Sequence, residues 1–187
     1  MPKLTVRHHA TAAVLTAALF CIAGFAAAQP DTLPLEAQWR LQSSAEVEAG
    51  GAALAETGYD DAGWYPVEVP TTVLAALVEN GVYPDPYYGL NLKEIPGFQE
   101  GRWLIRPEGS PFRVPWWFRT EFEAPAAWDG RFADLHLDGI NFKANIWLNG
   151  ELLASSERVH GMFRRYRFDV TAHLRPGERN ALAVEII

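Results

Sequence analysis

The sequence is poorest in cysteine: Cys21 is the only one in 187 residues. A lone cysteine excludes a disulfide framework within the chain and a thiolate metal cluster. Positive charge is also scarce. Sixteen Lys and Arg face 23 Asp and Glu, for a formal net charge of −7. An acidic surface repels phosphate backbones, so no nucleic-acid partner is expected. Catalytic motifs are missing as well. There is no Gly-x-Ser-x-Gly, no phosphate-cradling glycine loop and no paired histidine spacing for zinc. His136, His160 and His173 stand apart from one another and read as surface or turn residues. Beyond residue 28 no apolar run approaches the roughly 20 residues of a membrane span.

The one long apolar run lies at the start. Met1 to His9 carries Lys3 and Arg7 and no acid, Ala10 to Phe25 is uncharged, and Ala26-Ala27-Ala28 offers small residues at a cut. This order reads as a secretory signal peptide over 1–28, cleaved after Ala28, which predicts a secreted or periplasmic protein. Cys21 leaves with it. Phe20 stands where a lipoprotein site needs a small residue, so no lipid anchor is expected. Residues 29–35 read as a linker and 36–187 as the folded domain.

Within that domain the period is two. Phe118, Thr120 and Phe122 alternate with Arg119, Glu121 and Glu123. Ala133, Leu135 and Leu137 alternate with Asp134, His136 and Asp138. Ala144, Ile146 and Leu148 lead into Asn149-Gly150, a strong hairpin signal because both residues tolerate positive φ. Tyr166, Phe168 and Val170 follow, then Pro176-Gly177, then Leu182, Val184 and Ile186. Short alternating strands separated by turns predict an all-β sandwich. Trp64 to Val69 adds a strand. Residues 43–61 read as irregular surface structure, and the charged members of each strand read as solvent-facing. One short helix is expected after Thr71-Thr72, from Val73 to the Asn80-Gly81 stop. Tyr83 to Gly101 is rich in Pro and Gly and reads as a long ordered loop, which at this length is usually functional. The alternation is still running at Ile187, so the domain reads as truncated at that end.

Aromatic residues are plentiful, with 7 Trp, 6 Tyr and 10 Phe. Trp103, Phe112, Trp116, Trp117, Phe118 and Phe122 crowd one region. Packing accounts for most of these rings. The stretch Asp85-Pro86-Tyr87-Tyr88-Gly89-Leu90-Asn91 differs, because it joins rings that stack on sugar C–H faces to polar groups that bind hydroxyls. No carboxylate pair stands out as the acid and nucleophile of glycoside cleavage, so no catalytic residue is assigned. Arg164-Arg165-Tyr166-Arg167 reads as the outward face of a strand. No metal or cofactor site is assigned.

Several ordered motifs together resemble the sugar-binding domain of glycoside hydrolase family 2. Asp138-Gly139-Ile140 leads through Ala144-Asn145-Ile146-Trp147-Leu148-Asn149-Gly150 to Leu153. His160 to Phe163, Tyr166 to Thr171 and Asn180-Ala181-Leu182-Ala183-Val184 follow in order. The resemblance covers roughly Trp39 to Ile187. Pro70-Thr71-Thr72, Asp85 to Asn91 and Trp116 to Thr120 resemble the β-mannosidase and exo-β-D-glucosaminidase branch more than the β-galactosidases or β-glucuronidases.

The resemblance implies a jelly-roll β-sandwich of the galactose-binding type. It implies partners within a longer chain, namely immunoglobulin-like domains and a (β/α)₈ barrel that carries both catalytic glutamates. It implies a β-linked oligosaccharide substrate and a loop of this domain at the barrel mouth. Asp85, Tyr88 and Asn91 are the candidate contacts there, with Trp116 as a stacking ring. A free-standing carbohydrate-binding module and a structural domain without sugar contact remain as alternatives.

Overall fold

The computed structural model describes residues 1–7, 31–97 and 109–187. Cys21, the cut after Ala28 and Trp103 lie outside the described residues. Two antiparallel sheets face each other. The four-stranded sheet runs β2 (Thr32–Pro34), β1 (Lys3–Arg7), β6 (Phe132–Leu137), β9 (Tyr166–Asp169). The six-stranded sheet runs β4 (Tyr65–Val67), β3 (Trp39–Ser43), β5 (Trp116–Glu123), β10 (Arg179–Ile186), β7 (Ala144–Leu148), β8 (Glu151–Ala154).

The period-two residues meet between the sheets. Leu4, Leu135 and Phe168 from one side pack on Leu41, Phe118, Ile146, Leu182 and Val184 from the other, with Trp128 closing the core. Such a core supplies the main stabilisation in a fold without disulfides. The β7–β8 hairpin turns at Asn149 and Gly150, with φ of 50° and 87°. Asn149 does more than tolerate that conformation. Its amide donates to the His173 carbonyl and to Asn180 Oδ1, both at 2.7 Å, and its Oδ1 accepts from the Ala181 N–H. Asn180 is fully buried and donates to the Arg175 and Glu178 carbonyls. The two asparagines of the sequence motifs thus pin the hairpin to β10. They satisfy buried backbone groups rather than reach for a ligand.

Three sequence expectations need correction. Residues 29–35 are not only linker: Thr32–Pro34 pairs with β1, and Leu35 is buried in the core. The segment is too short for its alternation to register as a strand. Residues 43–61 are not loose surface. They form a 3₁₀ turn and a one-turn helix, α1 (Gly51–Leu54), laid across the outer face of the six-stranded sheet. Leu54 and Ala55 are fully buried there with Trp64, Trp117 and Ala183, a second core. Its small residues carry little hydropathy, which hid it.

Thirdly, Arg119 and Glu121 do not face solvent. Arg119 is 2% exposed. It donates to the Leu54 and Glu56 carbonyls at 2.8 and 2.9 Å, pairs with Asp61 and Glu121, and lies over the Tyr59 ring. The expected helix is present as α2 (Val73–Glu79), capped by Thr72 Oγ1, which accepts from the Ala75 N–H at 3.1 Å.

Candidate functional site

The Tyr83 to Asn91 segment leaves the end of α2 and is anchored at both flanks. Tyr83 packs against Phe112 at 6.1 Å between ring centroids, and burial, with Tyr65 adding to it, pushes its phenol pKa up. Ile95 is fully buried beyond the far end. Between these anchors the chain folds on itself through polar side chains. Asp85 Oδ1 accepts from the Tyr87 N–H at 2.9 Å, the local turn that aspartate favours. Asn91 donates from its amide to the Asp85 carbonyl at 3.0 Å, closing the loop. The Tyr88 N–H reaches the same carbonyl, and the Asn91 N–H reaches the Tyr88 carbonyl.

This internal bonding leaves the rings outside. Tyr87 is 96% and Tyr88 76% exposed, with Leu90 beside them. An exposed pair of aromatic rings held on an ordered loop is costly unless something covers it. The arrangement offers two apolar faces, a carboxylate and an amide, without a nucleophile–base pair.

The structure therefore brings Asp85, Tyr88 and Asn91 together. Trp116 stands apart from them. It is 6% exposed, its indole N–H donates to the Pro111 carbonyl at 2.9 Å, and its ring packs in the main core. Its remaining surface shares a cleft of about 650 Å³ with Tyr83, Tyr65 and Ser110.

Elsewhere, a larger open cleft of about 880 Å³ runs past Arg40, Tyr59, Glu68, Arg119 and Glu121. Its ionic floor is already internally paired. Burial alone would raise the pKa of Glu121, but the Arg119 and Gly58 hydrogen bonds and the Arg119 and Arg179 charges lower it. The sequence reading missed this cleft because Arg119 sits in a plain alternation. No group of three or more His, Cys, Asp or Glu able to hold a metal occurs among the described residues. No helix among them is long and apolar enough to cross a membrane.

Comparison with known proteins agrees with this fold. Residues 39–187 match the glycosyl hydrolase 2 galactose-binding domain-like family. An exo-β-D-glucosaminidase of Amycolatopsis orientalis is 34% identical over 146 residues, which are 78% of this chain and 13% of that protein. A mannosylglycoprotein endo-β-mannosidase of Lilium longiflorum is 35% identical over 155 residues, 80% of this chain and 15% of that protein. The crystal structure of the Amycolatopsis orientalis exo-chitosanase superposes with a TM-score of 0.69 at 32% identity, covering 82% of this chain and 16% of that one. The chain thus spans about a seventh of the length of the curated relatives it matches. With the two-sheet jelly roll, the pinned Asn149–Asn180 hairpin and a match over most of its length, the chain belongs to the galactose-binding-like domain family of glycoside hydrolase family 2.

Proposed function

We propose that this chain is the N-terminal accessory domain of an exported glycoside hydrolase that cleaves β-glucosaminidic or β-mannosidic bonds. The domain shapes the entrance to a catalytic site supplied by a (β/α)₈ barrel elsewhere in the same polypeptide, beside immunoglobulin-like domains. The observation that carries this reading is the Tyr83–Asn91 loop. It is internally bonded, yet it holds two tyrosine rings in solvent, within a domain similar to that of glucosaminidases and a mannosidase.

Rings of this kind stack on the C–H faces of a pyranose, and the free carboxylate oxygen of Asp85 accepts from hydroxyl or ammonium groups. In a closed entrance such contacts position the non-reducing end without touching the scissile bond. Uniform binding of this sort alters KM more than kcat. Trp116 serves mainly as the packed support beneath Tyr83, since little of its face is open. Export follows from the leader over 1–28.

Two measurements test the proposal. The isolated 187-residue chain is expected to leave aryl β-glucosaminide and aryl β-mannoside intact; turnover by it would overturn the accessory role. In the full-length enzyme, Asp85→Ala and Tyr88→Ala are expected to raise KM for a glucosamine or mannose oligomer about tenfold, near 1.4 kcal/mol, with kcat little changed. An unaltered KM in both variants would leave the loop without a role in substrate entry.

A further inference from the structure

The cleft of about 650 Å³ beside Trp116 is made of parts that the entrance loop does not use. Two short 3₁₀ turns line it, Ser44–Glu46 and Pro111–Arg113, together with Tyr65 of β4, Trp116 and Tyr83. A buried serine holds each turn. Ser43 Oγ accepts from the Ala45 N–H and Ser110 Oγ from the Phe112 N–H, both at 3.3 Å. The Ser44 N–H donates to the Pro115 carbonyl at 3.0 Å and ties one turn to the other. Beneath them Ser43 and Trp116 are register partners on β3 and β5. Tyr83 is held by the Phe112 ring. A lining anchored in this way keeps its shape before a ligand arrives, which lowers the entropy lost on binding.

The polar groups inside it stand unengaged. Among the described residues, no hydrogen bond or ion pair takes up the Glu46 carboxylate, the Arg113 guanidinium or the Tyr65 and Tyr83 hydroxyls. Gln42 Oε1 accepts from the Ser43 N–H at 2.9 Å, which leaves its NH₂ to donate elsewhere. The larger cleft differs, because Arg119 there already pairs with Asp61 and Glu121.

This inventory selects a class of ligand. The described lining carries one carboxylate and one guanidinium, so its charge sums to zero. It offers donors and acceptors side by side, next to apolar surface from Leu77 and Val114. A pyranose presents the matching set, hydroxyls that both donate and accept around a ring with C–H faces. The volume falls within the roughly 300–1,000 Å³ of small-molecule sites. Position adds to the case. Tyr88 follows Tyr83 by five residues, so their Cα atoms are at most about 18 Å apart. A short oligosaccharide bridges that span.

We propose that this cleft is a second carbohydrate subsite, which takes the pyranose units of a β-linked oligosaccharide beyond the unit met by the Tyr87 and Tyr88 rings. The inference rests on the reading above of the chain as an accessory domain of a β-glycosidase. Glu46 accepts from a hydroxyl or an ammonium group, Arg113 and Gln42 donate to hydroxyls, and the two phenols do either. A preference for longer chains is thereby built into this domain rather than into the catalytic barrel.

The test is a full-length enzyme carrying both Glu46→Gln and Arg113→Gln. Both side chains are exposed and take no part in the hydrogen bonds that hold the turns, so the thermal midpoint should not move. KM for a glucosamine or mannose tetramer is expected to rise about fivefold, the scale of lost hydrogen bonds at a solvated site. KM and kcat for the aryl monoglycoside are expected to stay as they were, because a single sugar does not reach the cleft. An equal rise for both substrates, or no rise for the tetramer, overturns the subsite. If the tetramer KM is unmoved here but rises in Asp85→Ala or Tyr88→Ala, the subsite falls and the entrance reading stands.

A second readout is independent of turnover. The Trp116 indole N–H, bonded to the Pro111 carbonyl at the cleft, gives a resonance of its own in the 187-residue chain. It is expected to shift on titration with the tetramers and to stay in place in the double variant. No shift with either tetramer overturns the subsite, whatever the full-length enzyme hydrolyses. A shift with the glucosamine tetramer alone, lost in Glu46→Gln, supports a subsite for amino sugars; a shift with both supports one that reads the shared ring hydroxyls.

Discussion

The two sheets differ in how they meet water. In the four-stranded sheet, β1 and β9 alternate buried and exposed residues, as a strand with one wet face should. In the six-stranded sheet, β5 and β10 are buried over five consecutive residues each. Their second face is covered by the segment around α1, with Leu54, Ala55 and Trp64 on Trp117 and Ala183. The same alternating sequence pattern thus serves two environments. Whether a charged residue in it is solvated or entombed depends on what another part of the chain lays over it. Arg167 of β9 and Arg119 of β5 are both arginines paired with carboxylates, yet only Arg119 holds a cover segment in place.

That contrast is most directly broken at Arg119. Arg119→Met keeps the volume but strands the Leu54 and Glu56 carbonyls, takes the guanidinium from Asp61 and leaves Glu121 with only Arg179 and the Gly58 N–H. The expected loss is about 3 kcal/mol or more, the scale of removing one partner from a buried pair. Denaturant unfolding should show it, with Arg167→Met shifting the midpoint far less. Equal shifts would mean that the cover contributes nothing.

Gly51 sharpens the comparison at the next level. A Cβ there would run into the Trp147 indole, whereas one on Gly50 meets nothing within 4 Å. Gly51→Ala is expected to cost about 1–3 kcal/mol, typical of overpacking. Gly50→Ala should leave the thermal midpoint nearly unchanged.

The smallest effect is in pH. In the 187-residue chain, desolvation, reinforced by Lys3 and Arg167 against the pull of Asp134 and Asp138, lowers the His136 pKa below its usual 6.5. The unfolded chain therefore binds this proton first. The stabilisation is fully present above pH 6.5 and is lost as pH falls through the folded value. Glu121, lowered from 4.5, loses its contribution only as pH falls below that range. Acid should thus loosen the four-stranded sheet before the covered one. His136→Gln should flatten the upper part of the curve, and Glu121→Gln the lower part. Coincident loss at both sheets by residue-resolved exchange would contradict this order.

These contrasts also explain what the sequence made legible. The strands from Trp116 onward were readable from their period of two, except β8, which only the Asn149-Gly150 turn implied and whose residues do not alternate in burial. The Asn149-Gly150 turn was readable because its backbone requires φ > 0. The α1 segment was not, since four residues of Gly, Ala and Leu have too little pattern and become core only once Trp117 and Trp147 sit beneath them. β1 was hidden for another reason: Lys3 and Arg7 are as well suited to a leader as to a strand. Of the candidate contacts, Asp85, Tyr88 and Asn91 were readable as a compact polar-aromatic run. The depth of Trp116 was not, because its neighbours Tyr83 and Phe112 come from distant or adjoining loops that spacing alone cannot place.

One arrangement under α1 has an optical consequence. The Trp117 and Trp147 rings lie 5.3 Å apart and inclined by 50°, with Trp147 directly against Gly51. Two indoles so close and so tilted couple their strong transitions and give a paired far-ultraviolet circular dichroism signal that well-separated tryptophans lack. The molecule therefore carries its own gauge of whether the cover is seated, readable in solution without a label.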